Sequence, residues 1–281
     1  MRYSPCLLLF FGLHFTLCNV GKAQVGLTDE MKETERMLAA STKQVNQFFL
    51  RFNGEETGKG ARLQAGDRQF RATGLRRNFI PNLFNQSGNI DLELAKRFTK
   101  LVTDKRAPLF LDRRHDNWIA EVNVTFTYQK ETISGLLFLR LEQQGKGYAW
   151  ILEDVSFDIF KERLSKNPED HSYFIHPMSH ELDFMTFRKA FQKDKNVNQY
   201  TSKSFTPDFL TLFLYEMESG RLNFETVKDV KFHFFVFDDW YFSLVNFNRP
   251  GFNSGWLIEN IFEIKNESQK SQMKDYVYDK N

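Results

Sequence analysis

Two stretches decide the fold: LRLEQQGKGYAWILEDV at residues 139–155 and VNFNRPGFNSGWLIENI at residues 245–261. A shift of 106 positions (256 − 150) lays Trp150, Glu153 and Val155 on Trp256, Glu259 and Ile261, with Asp154 on Asn260. Each stretch reads as a strand, a glycine-containing turn and a second strand of pattern W-[IL]-[LI]-E-[DN]-[VI]. The elements before each stretch recur in the same order. In the first copy, residues 33–53 place Met37, Val45, Phe48, Phe49 and Phe52 at the spacing of one helical face, ended by Asn53-Gly54. Residues 91–103 form a second amphipathic helix with Asp91 as N-cap. Val122, Val124, Phe126 and Tyr128 then alternate with polar residues, as a strand with one wet face does. In the second copy, residues 180–192 and 206–217 read as helices, and residues 230–237 and 240–247 as strands.

Helices followed by a strand meander, twice over, predict an α+β chain of two tandem modules at residues 33–160 and 180–265, the alternative being a single large α+β domain with coincidental ends. Residues 161–179, containing Pro168, read as a linker and residues 266–281 as a polar tail. Residues 54–74, rich in Gly and Arg, read as a long mobile loop, and residues 77–85 as a short helical turn.

The chain has 281 residues with 38 Lys+Arg against 36 Asp+Glu, and 31 of its residues are Phe. Residues 1–23 carry a cationic start at Arg2, an apolar run between Cys6 and Cys18, and small residues Gly21 and Ala23 before Gln24. This is the layout of a secretory signal peptide, and the run is too short for a membrane span of about 20 residues. Removing Arg2 and Lys22 with the leader leaves 36 basic against 36 acidic residues. That neutrality argues against nucleic acid as a partner, because such binding draws its affinity from cations on phosphates. Both cysteines fall in the leader, which excludes thiol chemistry from the mature chain and suits a bacterial periplasm or cell surface.

With these elements placed, the chain resembles the nuclear transport factor 2-like superfamily, in which helices pack into a strongly curved sheet to make a cone. QFFLRFNGEE at residues 47–56, with the Trp150-Ile151-Leu152 strand, looks like exported Bacteroidetes proteins of this kind. The resemblance implies two cone-shaped modules, each with helices on a curved, mainly antiparallel sheet, and localisation in the periplasm or on the surface of a Gram-negative bacterium. It implies no particular activity, since the fold hosts enzymes, carriers and scaffolds alike.

The chemistry-bearing residues are few. GEETGKG at residues 54–60 is one residue short of a phosphate loop and follows a helix rather than a strand. His176 and His180 stand four apart with Pro177 between them, and no HExxH completes a metal site. No cofactor or metal is expected. Trp118, Trp150 and Trp256 are expected in the core, with room to line a ligand. Asp154 shares strand parity with Trp150, and His233 is opposite to Phe232 and Phe234. These five residues are the candidate ligand-binding set; none is assigned as catalytic. Arg76-Arg77 and Arg113-Arg114 read as solvated basic clusters. The expected function is that of an exported, non-catalytic binding protein for a small ligand or protein partner. The alternatives are a cofactor-free pocket enzyme of hydratase or isomerase type, and a surface-assembly component using the turns at residues 143–147 and 248–254.

Overall fold

A computed structural model describes residues 44–114, 117–164, 197–202, 204–237, 239–251 and 253–278, with residues 175, 177, 178 and 184. The leader with both cysteines, His171, His176 and His180, and most of the expected helix at 180–192 lie outside the described residues. The chain is α+β. Helices α1 (Val45–Asn53), α2 (Thr73–Phe79) and α3 (Leu92–Val102) precede strands β1 (Trp118–Tyr128), β2 (Glu131–Gln144) and β3 (Gly147–Ser156). Then come α4 (Asp158–Leu164), α5 (Phe209–Glu218), β4 (Leu222–Phe237), β5 (Trp240–Phe247), β6 (Gly255–Glu263) and α6 (Glu267–Val277).

The strands form one antiparallel sheet in the order β3-β2-β1-β4-β5-β6. The expectation of two modules with separate sheets is therefore corrected: the two strand triplets join edge to edge through β1 and β4. Asn123 pairs with Asp229, and the side chains of these two residues, 106 positions apart, hydrogen-bond at 3.1 Å. On either side of this seam the strands run outward in chain order, β1-β2-β3 one way and β4-β5-β6 the other. The repeated motif also bulges at one position in both copies. Leu152 and Asp154 pair with adjacent residues Leu139 and Phe138, which leaves Glu153 as the extra residue. Ile258 and Asn260 pair with Leu244 and Ser243, which leaves Glu259.

The helices cross over between the copies. Phe52 of α1 stacks on Phe237 and Phe242, and Phe98 of α3 packs on Phe237, Trp240 and Phe242, all from the second copy. Asn85 N donates to Ile258 O at 2.9 Å, fixing the α2–α3 connection along β6. In return Phe213 of α5 packs on Phe126 and Phe157 of the first copy. Both aromatic clusters use even-numbered β1 residues, Trp118 for one and Val124, Phe126 and Tyr128 for the other. Both therefore lie on one face of the sheet, called inner here. Neither copy holds its own core.

Local signals place these helices. The Asp91 side chain accepts from Glu93 N and Leu94 N at the start of α3, and Asp208 does the same for Leu210 N and Thr211 N at α5. Gly54, at φ 69°, ends α1 while Glu55 N reaches back to Leu50 O at 2.7 Å. A Cβ there would meet Arg76 Cγ at 2.8 Å, so glycine serves both the backbone and the packing.

Residues 54–74, expected to be a mobile loop, are tied down. Glu56 pairs with Arg62 in a β-bridge, and its buried carboxylate meets Arg51 Nε at 3.2 Å. Arg76, expected in solvent, is fully buried and donates to Phe52 O at 2.9 Å and to Leu109 O. Burial, reinforced by neighbouring Arg71, pulls its guanidinium down to about 10.

Candidate functional site

The outer face of the sheet carries a chain of polar side chains from four strands. His233 on β4 is 3% exposed. Its Nδ1 lies 2.8 Å from Tyr241 Oη on β5, and its Nε2 lies 2.8 Å from Glu121 Oε2 on β1. Ser243 bonds the Tyr241 phenol, and Asn260 Nδ2 on β6 donates to Ser243 Oγ at 3.3 Å. Strand register assembles the group. Ile119 and Ser243 are direct partners of His233, so Glu121 and Tyr241, each two residues along, share its face.

Burial pushes the Tyr241 phenol well above its usual range, and the Glu121 charge adds to the push. With the phenol protonated, the tautomer that carries its proton on Nε2 satisfies both contacts at once, Tyr241 donating to Nδ1 and Nε2–H to Glu121. Replacing Tyr241 by Phe leaves Nδ1 buried without its donor, and thermal or urea unfolding is expected to show a loss of about 1–3 kcal/mol. Unchanged unfolding would show that the phenol does not hold the ring.

Helix α6 lies over this chain and encloses a cleft of about 680 Å³. The stretch expected to be a polar tail is thus a structural helix. Asn266 caps it by accepting from Gln269 N at 2.9 Å, and Val277 and Ile264 are buried with Ile119, Phe138 and Phe235. Just past the helix, the Tyr278 hydroxyl donates to Glu153, whose other oxygen accepts from Arg140 Nε at 2.9 Å. The cleft combines Glu121, Lys231 and Asn260 with the apolar side chains of Leu136 and Met273. Phe262 and Tyr276 stand exposed at its margin. Lys231 Nζ and Glu259 Oε2 form an ion pair at 3.3 Å across this face.

The five candidate residues fall on two faces. Trp118, Trp150 and Trp256 gather on the inner face around Phe232, with Trp118–Trp150 ring centroids at 4.8 Å and Phe232–Trp256 at 5.2 Å. Trp150 and Trp256 therefore both pack on Phe232, on the same face of the sheet. The Trp118 indole N–H is buried without a hydrogen-bond partner among the described residues. Trp150 is 39% exposed. Calorimetry of Trp150→Ala is accordingly expected to show less than the roughly 3–5 kcal/mol that a fully buried aromatic costs; a loss in that range would mean that more covers the ring.

Asp154 and His233 lie on the outer face. The bulge at Glu153 reverses the expected parity of Asp154 with Trp150: Asp154 pairs with Phe138, and its Oδ1 accepts from Val155 N at 2.8 Å. The same bulge brings Glu153 and Asp154 both near Tyr278, whereas a regular strand would have sent them apart. Sequence parity placed His233 on the face away from Phe232 but did not supply its partners Glu121 and Tyr241, because only the β1–β4–β5 register brings them together.

Arg113 and Arg114 line a separate, polar cleft of about 720 Å³ with Arg71 and Lys146. There Arg113 Nη1 donates to Asn46 Oδ1 at 2.6 Å, and Arg71 pairs with Glu55 at 2.6 Å. The turn at residues 248–254, expected as an exposed contact point, is held internally: Asn253 Nδ2 donates to Phe84 O at 2.8 Å, and Arg249 Nη2 to Asn85 Oδ1 at 2.8 Å. No helix among the described residues is long and apolar enough to cross a membrane. No protein-family model, curated protein or solved structure matches the chain.

Proposed function

We propose that the chain is an exported, non-catalytic protein that binds a small ligand in the cleft between the outer sheet face and α6. One observation carries this reading: both ring nitrogens of His233 are committed, to Tyr241 and to Glu121. A histidine so held, and only 3% exposed, orders the cleft wall and presents little of its own surface to a ligand. Around it stand the hydrogen-bonding and apolar groups of an ordinary ligand site. The leader-like residues 1–23 support export, and the matching order of the two strand triplets supports an internal duplication. The likeness to the nuclear transport factor 2-like superfamily belongs to the same proposal.

A second reading, a hydratase- or isomerase-type enzyme, is favoured by Glu121. Its carboxylate lines the cleft, with a side chain 20% exposed and a histidine behind it. Native mass spectrometry of the protein isolated from its own compartment tests the choice. The binding reading expects a co-purified small molecule that is lost in Phe262→Ala and Tyr276→Ala, both exposed positions whose replacement leaves melting unchanged. A molecule retained in both variants would place the ligand elsewhere, and turnover abolished by Glu121→Gln would establish the enzyme. N-terminal sequencing is expected to begin at Gln24; retention of Met1 would overturn export.

A further inference from the structure

We propose that a second cleft, on the inner-face helical layer and independent of the α6 site, binds a single-chain amphiphile with an anionic headgroup, a fatty carboxylate being the simplest. The cleft runs between α3 and the chain from Arg77 to Ile90 and has a volume of about 600 Å³, within the range of about 300–1,000 Å³ typical of ligand pockets.

Its floor is apolar. Phe84 and Ala95 are buried beneath it, and Leu92 lies at its edge, 72% exposed. Three neutral polar groups in its wall, Thr99, Thr103 and Asn85, are turned to internal use. Thr99 Oγ1 donates to Ala95 O at 2.8 Å and Thr103 Oγ1 to Thr99 O at 2.7 Å, each one helical turn back. Asn85 Oδ1 accepts from Arg249 Nη2 at 2.8 Å. A polar ligand would find few partners on this floor, while an alkyl chain loses nothing by covering it.

The rim has the opposite character. Arg77, Lys96 and Lys100 line it, and no carboxylate does. Two acids stand nearby. Glu93 meets Lys96 at 2.7 Å, but both side chains are more than two-thirds exposed and the pair is weak. Asp104 is occupied by Arg106 N and Ala107 N at 2.7 and 3.0 Å. An apolar trough bordered by cations selects an apolar chain ending in an anion. Because the floor is a recess closed by Phe84 and Ala95, it takes a detached chain; a protruding apolar face would be needed to enter a bilayer.

The test titrates the full chain with dodecanoate labelled with ¹³C at its carboxyl carbon, below the micellar concentration. One saturable site is expected. Arg77→Glu with Lys100→Glu is expected to weaken it about tenfold, and Leu92→Asp by a similar factor. All three positions are exposed, so the variants keep the wild-type melting temperature. Dodecanol binding as tightly as dodecanoate, or indifference to the charge reversals, would overturn the anionic headgroup. Non-saturable uptake, or indifference to Leu92→Asp, would overturn the cleft. Binding to phosphatidylglycerol vesicles without binding to dodecanoate would assign the surface to a membrane instead. None of these outcomes depends on the α6 cleft.

Discussion

A chain divided between residues 164 and 197 is expected to yield two pieces that do not fold alone but do fold when co-expressed. The reason lies in the crossing of the helices. In the first piece Phe52 and Phe98 lose Phe237, Trp240 and Phe242, so the apolar faces of α1 and α3 lie open. In the second piece Phe213 loses Phe126 and Phe157. The β1–β4 pairing that runs from Trp118↔Phe234 to Tyr128↔Leu222 is lost to both, exposing two long strand edges. Amide spectra of each piece are expected to be collapsed and that of the co-expressed pair dispersed. A dispersed spectrum from either piece alone would restore two self-sufficient modules.

Replacing Phe98 by Ala is expected to cost roughly 3–5 kcal/mol, the range for a buried aromatic. Phe98 has no exposed surface and touches rings from α1, the α2–α3 connection, β4 and β5. The form of the transition matters as much as its size. If the copies share one interior, Phe98→Ala and Phe213→Ala each lower a single cooperative transition, and calorimetric and van't Hoff enthalpies agree. Two transitions, only one of which moves in each variant, would contradict the shared interior.

Much of this architecture can be read in the residues. The repeated W-[IL]-[LI]-E-[DN]-[VI] segment identifies β3 and β6, and its offset of 106 recurs between Asn123 and Asp229, the central pair of the sheet. The caps at Asp91 and the stop at Gly54 are local chemistry, legible without tertiary information. The partnership of the two copies is not legible, because hydrophobic period tells which face of a strand is buried but not which strand lies beside it. The natural inference that each helix covers its own strands fails here for that reason.

The bulge at Glu153 is hidden on the same ground, since an extra residue exists only relative to a partner. Helix α6 escapes notice because ESQKSQMKDYV has only Met273 and Val277 to bury at helical spacing, and its anchors, Ile264 and Tyr278, lie outside it. The burial of Arg76 is also illegible: a run of two arginines after a glycine-rich stretch reads as solvated, whereas the carbonyls of Phe52 and Leu109 and the Phe110 ring 4.3 Å from the guanidinium explain the burial. Of the site, the parity of His233 is readable, whereas Glu121 stands 112 residues away and joins it only through the sheet.

The most direct test of the single sheet is nuclear Overhauser spectroscopy of the whole chain across the β1–β4 seam. Cross-strand backbone contacts are predicted to pair Ile119 with His233, Asn123 with Asp229 and Tyr128 with Leu222. If β1 and β4 show contacts only within their own triplets, to β2 and β5, then the two copies form separate sheets, and the shared interior and the Glu121–His233 contact on its outer face are both wrong.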